Sequence, residues 1–224
     1  MGKDFVLNQI VNTSSFKDQE SLEAHFDKVA QLILNRTILR IDKNTCRFTE
    51  IEFYFYDEAY HKDPFIHKHD LQKLPGQWYF HGSGLDLTFG DLINYGGVLI
   101  RGIKKTGPVG DIYIDGPLNV VTEIFKSFGN MAIKEHLFHI YETNDIEQYP
   151  IVKSTRVGLK PNESSNFHEL FYRYISFPFE PSHKYAEKIK VASALLKTEK
   201  QFDKSKQLTV SDINSLYGWR ILKA

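Results

Sequence analysis

The sequence predicts an α+β fold: one domain in which a mostly antiparallel β-sheet is flanked by helices. Residues 47–56, Arg47-Phe48-Thr49-Glu50-Ile51-Glu52-Phe53-Tyr54-Phe55-Tyr56, alternate in character along their length. Side chains of a strand point to alternate faces, so Thr49, Ile51, Phe53 and Phe55 share one face and Glu50, Glu52, Tyr54 and Tyr56 the other. Short aromatic or branched runs follow at 77–81, 85–89 and 98–103, divided by turns rich in glycine and proline. Apolar residues at helical spacing precede and follow these runs.

The first helical segment runs from Asp18 to about Asn35, where Leu22, Phe26, Val29, Ala30 and Ile33 recur after a Ser/Asp-rich lead-in that can cap the first turn. Thr37 to Ile41 is a short strand, and Asp42-Lys43-Asn44 is a turn into the central strand. Residues 57–69 read as a loop that carries His61, His67 and His69. A spacing of two between His67 and His69, with no cysteine and no H-E-x-x-H helix, is not a recognised zinc pattern, and no metal is expected.

Gln77 to His81 is a short strand in which Tyr79 and His81 point the same way, and Gly82-Ser83-Gly84 is a tight turn. Leu85 to Phe89 is a strand that places Asp86 among apolar neighbours. The run Val98-Leu99-Ile100-Arg101-Gly102-Ile103 holds an arginine among aliphatic residues; if buried it needs a partner, and Glu52 and Asp86 are the candidates. The other reading is an edge arginine facing water. For the first strand the two readings are a solvated acidic and aromatic face, or a site.

A second amphipathic helix spans Leu118 to about Phe128, and Leu137 to Tyr141 is a strand. Ile151 to Leu159 contains Thr155-Arg156-Val157-Gly158-Leu159, and Leu170 to Phe179 is extended and aromatic. Residues 182–207 are helical and rich in lysine (Lys184, Lys188, Lys190, Lys197, Lys200, Lys204, Lys206), which a solvated face explains, the other reading being a phosphate-facing patch. Val210 to Ala224 is a short helix or tail with Trp219.

Composition excludes several classes. The chain has 224 residues, 42% hydrophobic, enough for a real core. The formal net charge is zero, so bulk charge gives no argument for a polyanion partner. Cys46 is the sole cysteine and no intrachain disulfide can form. The start Met1-Gly2-Lys3-Asp4-Phe5 lacks a signal-peptide pattern, position 6 does not suit myristoylation of Gly2, and no apolar run approaches the roughly 20 residues that span a bilayer. An intracellular, cytoplasmic monomer without membrane contact is expected.

The order of these stretches is more specific than any one of them. Thr49-Glu50-Ile51-Glu52-Phe53-Tyr54, Asp63-Pro64-Phe65-Ile66-His67, Gly76-Gln77-Trp78-Tyr79-Phe80-His81, Leu85-Asp86-Leu87 and Gly97-Val98-Leu99-Ile100-Arg101-Gly102-Ile103 follow one another. The succession resembles the alkyladenine (3-methyladenine) DNA glycosylase family over residues 36–180. Gly116-Pro117-Leu118 and Thr155-Arg156-Val157-Gly158-Leu159 look like two further family segments. The resemblance implies a curved sheet within a single domain over 1–224, with the N-terminal helix at 18–35 and a lysine-rich helical extension at 182–224.

The resemblance also implies a monofunctional N-glycosylase of the base excision repair type, acting on nucleic acid that carries a damaged or modified base. Glu52 would be the general base that activates water, with Arg101 beside it. Tyr54, His67 and His81 would enclose the extruded base, Asp86 would lie beside the purine edge, and the Val157 carbonyl would help hold the water. Glu50 would be a surface residue. Cleavage through an oxocarbenium-like sugar suits a carboxylate that both activates water and offsets positive charge. No cofactor, metal or lysine nucleophile is implied.

The chain departs from the family at three places. The turn at Gly82-Ser83-Gly84 lacks the tyrosine that fills the vacated space in a duplex, the loop at 70–75 is shortened, and Asp86 stands for an asparagine. The alternatives are a non-catalytic nucleobase- or nucleoside-binding module on the same fold, or a glycosylase acting on RNA, single strands or free nucleosides.

Overall fold

The computed structural model describes residues 18–108, 110–129, 132, 135–144, 149–161, 165–197 and 208–223. The chain start with Gly2, and the lysine-bearing stretch 198–207 with Lys200, Lys204 and Lys206, lie outside the described residues.

Strand β2 (Asn44–Asp57) is the axis of the fold. One of its edges pairs with β6 (Tyr95–Gly107) along nearly its whole length. Its other edge is shared in succession by β1 (Thr37–Ile41), β10 (Arg173–Ser176) and β3 (His61–Lys62). The far edge of β6 is divided the same way, between β5 (Gly84–Thr88) and β7 (Gly110–Asp115). Strands β4 (Trp78–His81), β8 (Phe138–Glu142) and β9 (Ile151–Ser154) extend β5, β1 and β10 outward. Every pairing is antiparallel, and the strands form one 10-stranded sheet. Strand β7 was not legible as a strand, because Asp115-Gly116-Pro117 reads as the entry to a helix.

The sheet curls into a half-barrel. The β4–β5–β6–β2–β1–β8 path ends in β4 and β8, yet the rings of Trp78 and Phe138 on those two strands lie 4.7 Å apart. Helix α2 (Pro117–Ser127) and the residue after it bring Phe125 and Phe128 to the same place, against Phe80 and Phe138.

Inside the curl, β2 turns Ile51, Phe53 and Phe55 toward helix α1 (Gln19–Arg36). The helix starts where expected, at Asp18, whose Oδ1 accepts the Ser21 amide at 2.8 Å. Leu22, Phe26, Val29, Ala30 and Ile33 are all buried, as their spacing predicts. Phe26 stacks on Phe53 at 4.4 Å, with Phe89 and Tyr172 edge-on to it. A second core forms on the opposite face of β9 and β10, where Val152 and Ile175 meet α3 (Lys188–Lys197) and α4 (Val210–Tyr217) through Val191, Leu195, Ile213 and Tyr217. The C-terminal extension thus covers the back of the sheet. No helix among the described residues is long and apolar enough to cross a membrane.

The central β2–β6 ladder is irregular at one place. Phe48 pairs with Ile103, Glu50 with Gly102 and Ile51 with Ile100, which leaves Thr49 and Arg101 out of register. A Cβ on Gly102 would stand 2.6 Å from Thr49 Oγ1, so the two strands approach this closely only because residue 102 is glycine.

Candidate functional site

The bulge decides the geometry of the site. Arg101 is the extra residue of β6 opposite the step from Glu50 to Ile51, and its guanidinium reaches both carboxylates of β2. Its Nε donates to Glu50 Oε1 at 2.8 Å and stands 3.4 Å from Glu52 Oε1. From the other flank, Arg173 on β10 donates its own Nε to the same Glu50 oxygen at 2.8 Å. Glu50 is 1% exposed and Glu52 fully buried. The expectation that Glu50 lies on the surface is therefore wrong, and the part of the polar face of β2 that carries Glu50 and Glu52 is buried rather than solvated. Asp86, the other candidate partner of Arg101, is engaged elsewhere.

Glu52 collects donors on both oxygens. Tyr54 Oη donates to Oε2 at 2.9 Å, and the backbone N–H of Val157 donates to Oε1 at 2.7 Å. The resemblance gives Val157 a role through its carbonyl; the contact seen here is made by its amide, to Glu52. Burial pushes the Glu52 carboxyl above its ordinary range, and the neighbouring Glu50 adds to this. Arg101 and the Val157 amide work in the opposite direction without cancelling it. Pairing with Arg101 therefore does not hold Glu52 as a low-affinity carboxylate; it is a stronger proton acceptor than a surface glutamate. Arg101 loses by burial but gains more from Glu52 and Glu50, so its guanidinium is held charged. Burial likewise pushes the Tyr54 hydroxyl upward, so it acts as a donor.

Above these residues is a cavity of about 290 Å³. Its walls include Tyr54, His67, His81, Asp86, Arg101 and Val157. The expected site residues other than Glu52 thus converge on one cavity; Glu52 is not part of the lining, but its two hydrogen-bond donors, Tyr54 and Val157, and the nearby Arg101 are. At about 300 Å³ the volume is at the lower end for small-molecule sites. Phe65, Ile66, Leu99, Pro117 and Leu159 supply the apolar part of the lining.

The far wall is a closed polar circuit. Asp86 Oδ1 takes His81 Nε2 at 3.0 Å and Oδ2 takes Gln72 Nε2 at 3.0 Å. Gln72 Oε1 accepts the His69 amide at 3.1 Å. Because the Ser83 amide donates to His81 Nδ1 at 3.2 Å, the proton of that imidazole lies on Nε2, toward Asp86. Both ring nitrogens of His81 are used, and what it offers the cavity is a flat face. A Cβ on Gly97 would stand 2.6 Å from Asp86 Oδ2, so a glycine there makes room for the carboxylate. His67 meets His81 edge to face at 4.6 Å, and Tyr79 stacks between His81 and His69. Burial pulls the His67 imidazole below its ordinary value, and His81 beside it acts the same way. His61 belongs to a different network, with Nδ1 on the Phe55 carbonyl and Nε2 on Tyr172 Oη, so the three loop histidines do not form one ligand set.

Several functional positions escaped the sequence. Arg156 is fully buried, bonded to Asp63 Oδ2 at 2.5 Å and to the carbonyls of Phe53 and Phe167 at 3.2 and 3.1 Å. Its guanidinium carbon lies 4.5 Å over the Tyr54 ring. It fixes the segment whose next residue, Val157, feeds Glu52. Arg173 carries a signal of the kind that singled out Arg101, here an arginine within an apolar run that is aromatic rather than aliphatic. Gln72 had no signal, since its role depends on the short turn at Asp70–Lys73. Glu50, Asp115 and His183 bring ligand atoms within 4.8 Å of one another, but two guanidiniums already occupy Glu50, an unfavourable setting for a cation.

No protein-family profile matches the chain. It is 27% identical over 194 residues to the uncharacterized protein L759 of Acanthamoeba polyphaga mimivirus, a similarity that covers 69% of this chain and 87% of that protein.

Proposed function

We propose that the protein is an N-glycosylase that hydrolyses the bond between a modified nucleobase and its sugar, with water activated by Glu52. The observation that carries this reading is a fully buried carboxylate, pushed up by burial, whose donors Tyr54 and Val157 and neighbour Arg101 line the same cavity as His67 and His81. In this reading the base stacks between ring faces, Glu52 takes the proton of the attacking water, and Glu52 and Tyr54 offset charge developing on the sugar. The Tyr54 hydroxyl and the Val157 amide keep the carboxylate oriented, with Arg101 beside it. The partner is a nucleic acid, and the short Gly82-Ser83 turn, which carries no side chain able to fill a duplex, favours single strands or RNA over duplex DNA.

A base-release assay over alkylated and deaminated oligonucleotides, single and double stranded, tests the reading, with Glu52→Gln as control. Release by the parent protein and none by the variant supports it; equal release by both removes the mechanism. One observation favours a second reading, a nucleobase- or nucleoside-binding module. Glu52 is fully buried, and both its oxygens already accept hydrogen bonds from Tyr54 and Val157. Binding of a base without release from any substrate would select that reading.

A further inference from the structure

Glu50 is the least expected member of the site, since it touches neither the cavity nor a ligand position. Two arginines from strands on opposite sides of β2 converge on its single oxygen Oε1, each at 2.8 Å. Arg101 is one of them, and it is also the cation nearest Glu52. A guanidinium can satisfy a carboxylate fully when it forms a short, aligned pair. Here the short contact goes to Glu50, and Glu52 is left at 3.4 Å.

We propose that Glu50 is a positioning residue which holds Arg101 back from Glu52, so that the Glu52 carboxylate stays available to accept a proton. The proposal rests on the reading of Glu52 as a general base, but the device itself is a matter of geometry. The bulge places Arg101 between the two glutamates, and Arg173 helps to fix Glu50 from behind. If Arg101 were released it would have one carboxylate to close upon, and that carboxylate would lose its basicity.

The charged and titratable groups that face this pair are few. Around Glu52 they are Arg101, Glu50, Arg173 and the Tyr54 hydroxyl, with Arg156 and its partner Asp63 behind Tyr54. Around Glu50 they are Arg101, Arg173, Glu52, the Tyr185 hydroxyl, Asp115 and His183, the last two 3.0 Å apart, with Glu187 4.0 Å from Arg173. Arg173 also neighbours Glu52, as its partner across the β2–β10 ladder, but among the described residues Arg101 alone has a guanidinium nitrogen within 4 Å of both carboxylates.

The test is a carbon-13 NMR titration of the Glu52 side-chain carboxyl in the full chain, assigned by its loss in Glu52→Gln. Glu50→Gln should move the Glu52 midpoint to lower pH, both because the repulsion from Glu50 is lost and because Arg101 then pairs with Glu52; Glu50→Asp keeps the charge but draws the oxygen away from Arg101, so it isolates the restraint and should also lower the midpoint. Since Glu50→Gln leaves two buried guanidiniums without their counter-charge and can unfold the protein, the charge-conserving double variant Glu50→Gln/Arg173→Gln is titrated as well, with the same direction expected. An unchanged or raised midpoint in a folded variant, Glu50→Asp above all, overturns the proposal. The titration needs no substrate, so it stands apart from the glycosylase reading. If base release is found, the acid limb of its pH profile should follow the midpoint; absence of release from every substrate would remove the catalytic reading while leaving the restraint on Arg101 decided by NMR.

Discussion

The backbone amide of Val157 donates to Glu52 Oε1 at 2.7 Å, across a sequence separation of 105 residues. An amide cannot move to meet a carboxylate unless its whole segment is placed, and the placement is done by Arg156. That side chain is tied to Asp63 and to the carbonyls of Phe53 and Phe167, so one residue locks the loop after β9 against the centre of β2.

Arg156→Met should therefore destabilise the protein by about 3–5 kcal/mol, since it leaves the Asp63 carboxylate buried and alone. Urea denaturation measures this. Asp63→Asn should cost a similar amount, and the double variant less than the sum of the two, because the residues are in direct contact.

Glu52→Gln should stabilise the fold at neutral pH. The carboxyl is raised in the folded state, chiefly by burial, so its contribution is fully present below the unfolded value of 4.5 and is lost as pH rises through the folded value. The neutral amide escapes that loss. Melting curves of the two proteins should separate at pH 7, with the variant higher by about 2–4 °C for each kcal/mol gained, and converge below pH 4.5. A variant less stable than its parent at pH 7 would contradict the assignment.

His81 contributes a ring face, because its nitrogens are committed to Ser83 and Asp86. If the cavity takes a base as proposed, His81→Phe should keep most of the affinity for it, whereas His81→Ala should lose the stacking, about 1–3 kcal/mol or about 5- to 150-fold in Kd. Isothermal titration calorimetry distinguishes the two. Equal losses for both variants would mean that the imidazole nitrogens do the binding.

Phe26→Ala should cost about 3–5 kcal/mol by opening a cavity between α1 and β2. Phe26 touches Phe53, Phe89 and Tyr172, so there is no single neighbour that can collapse into the space. Chemical denaturation gives the value.

Local pattern made much of this molecule legible. The period of Leu22, Phe26, Val29, Ala30 and Ile33 predicts α1 and its buried stripe, and the alternation along 47–56 predicts which face of β2 is core. The convergence of Tyr54, His67, His81, Asp86 and Arg101 came from the order of segments, not from any one of them. What stayed hidden depends on register. Alternation alone puts Glu50 and Glu52 on one face but does not tell which of them Arg101 meets; that follows from a bulge of one residue on each strand. The partners of Asp86 were illegible for the same kind of reason, since Gln72 reaches it through a turn of four residues that carries no periodic signal. Strand β7 was masked because its last residue, Asp115, opens a Gly-Pro helix start.

The contact between Trp78 and Phe138 has a mechanical meaning. Every strand is held to its neighbour within the sheet by backbone hydrogen bonds, but among the described residues no such ladder joins β4 to β8. Among the described residues the margins of the curl meet through a cluster of rings: Trp78, Phe80, Phe125, Phe128 and Phe138. Apolar contact has no preferred direction, so the margins can slide or part without breaking a single inter-strand bond. The molecule therefore has a zip line along one side, and it runs beside β4, the strand that carries His81 into the cavity. Trp78 is the indole built into that line, while Trp219, the other tryptophan, is half-exposed near the C-terminal end. A red shift of emission that Trp219→Phe leaves intact would report the line opening while the rest of the sheet holds.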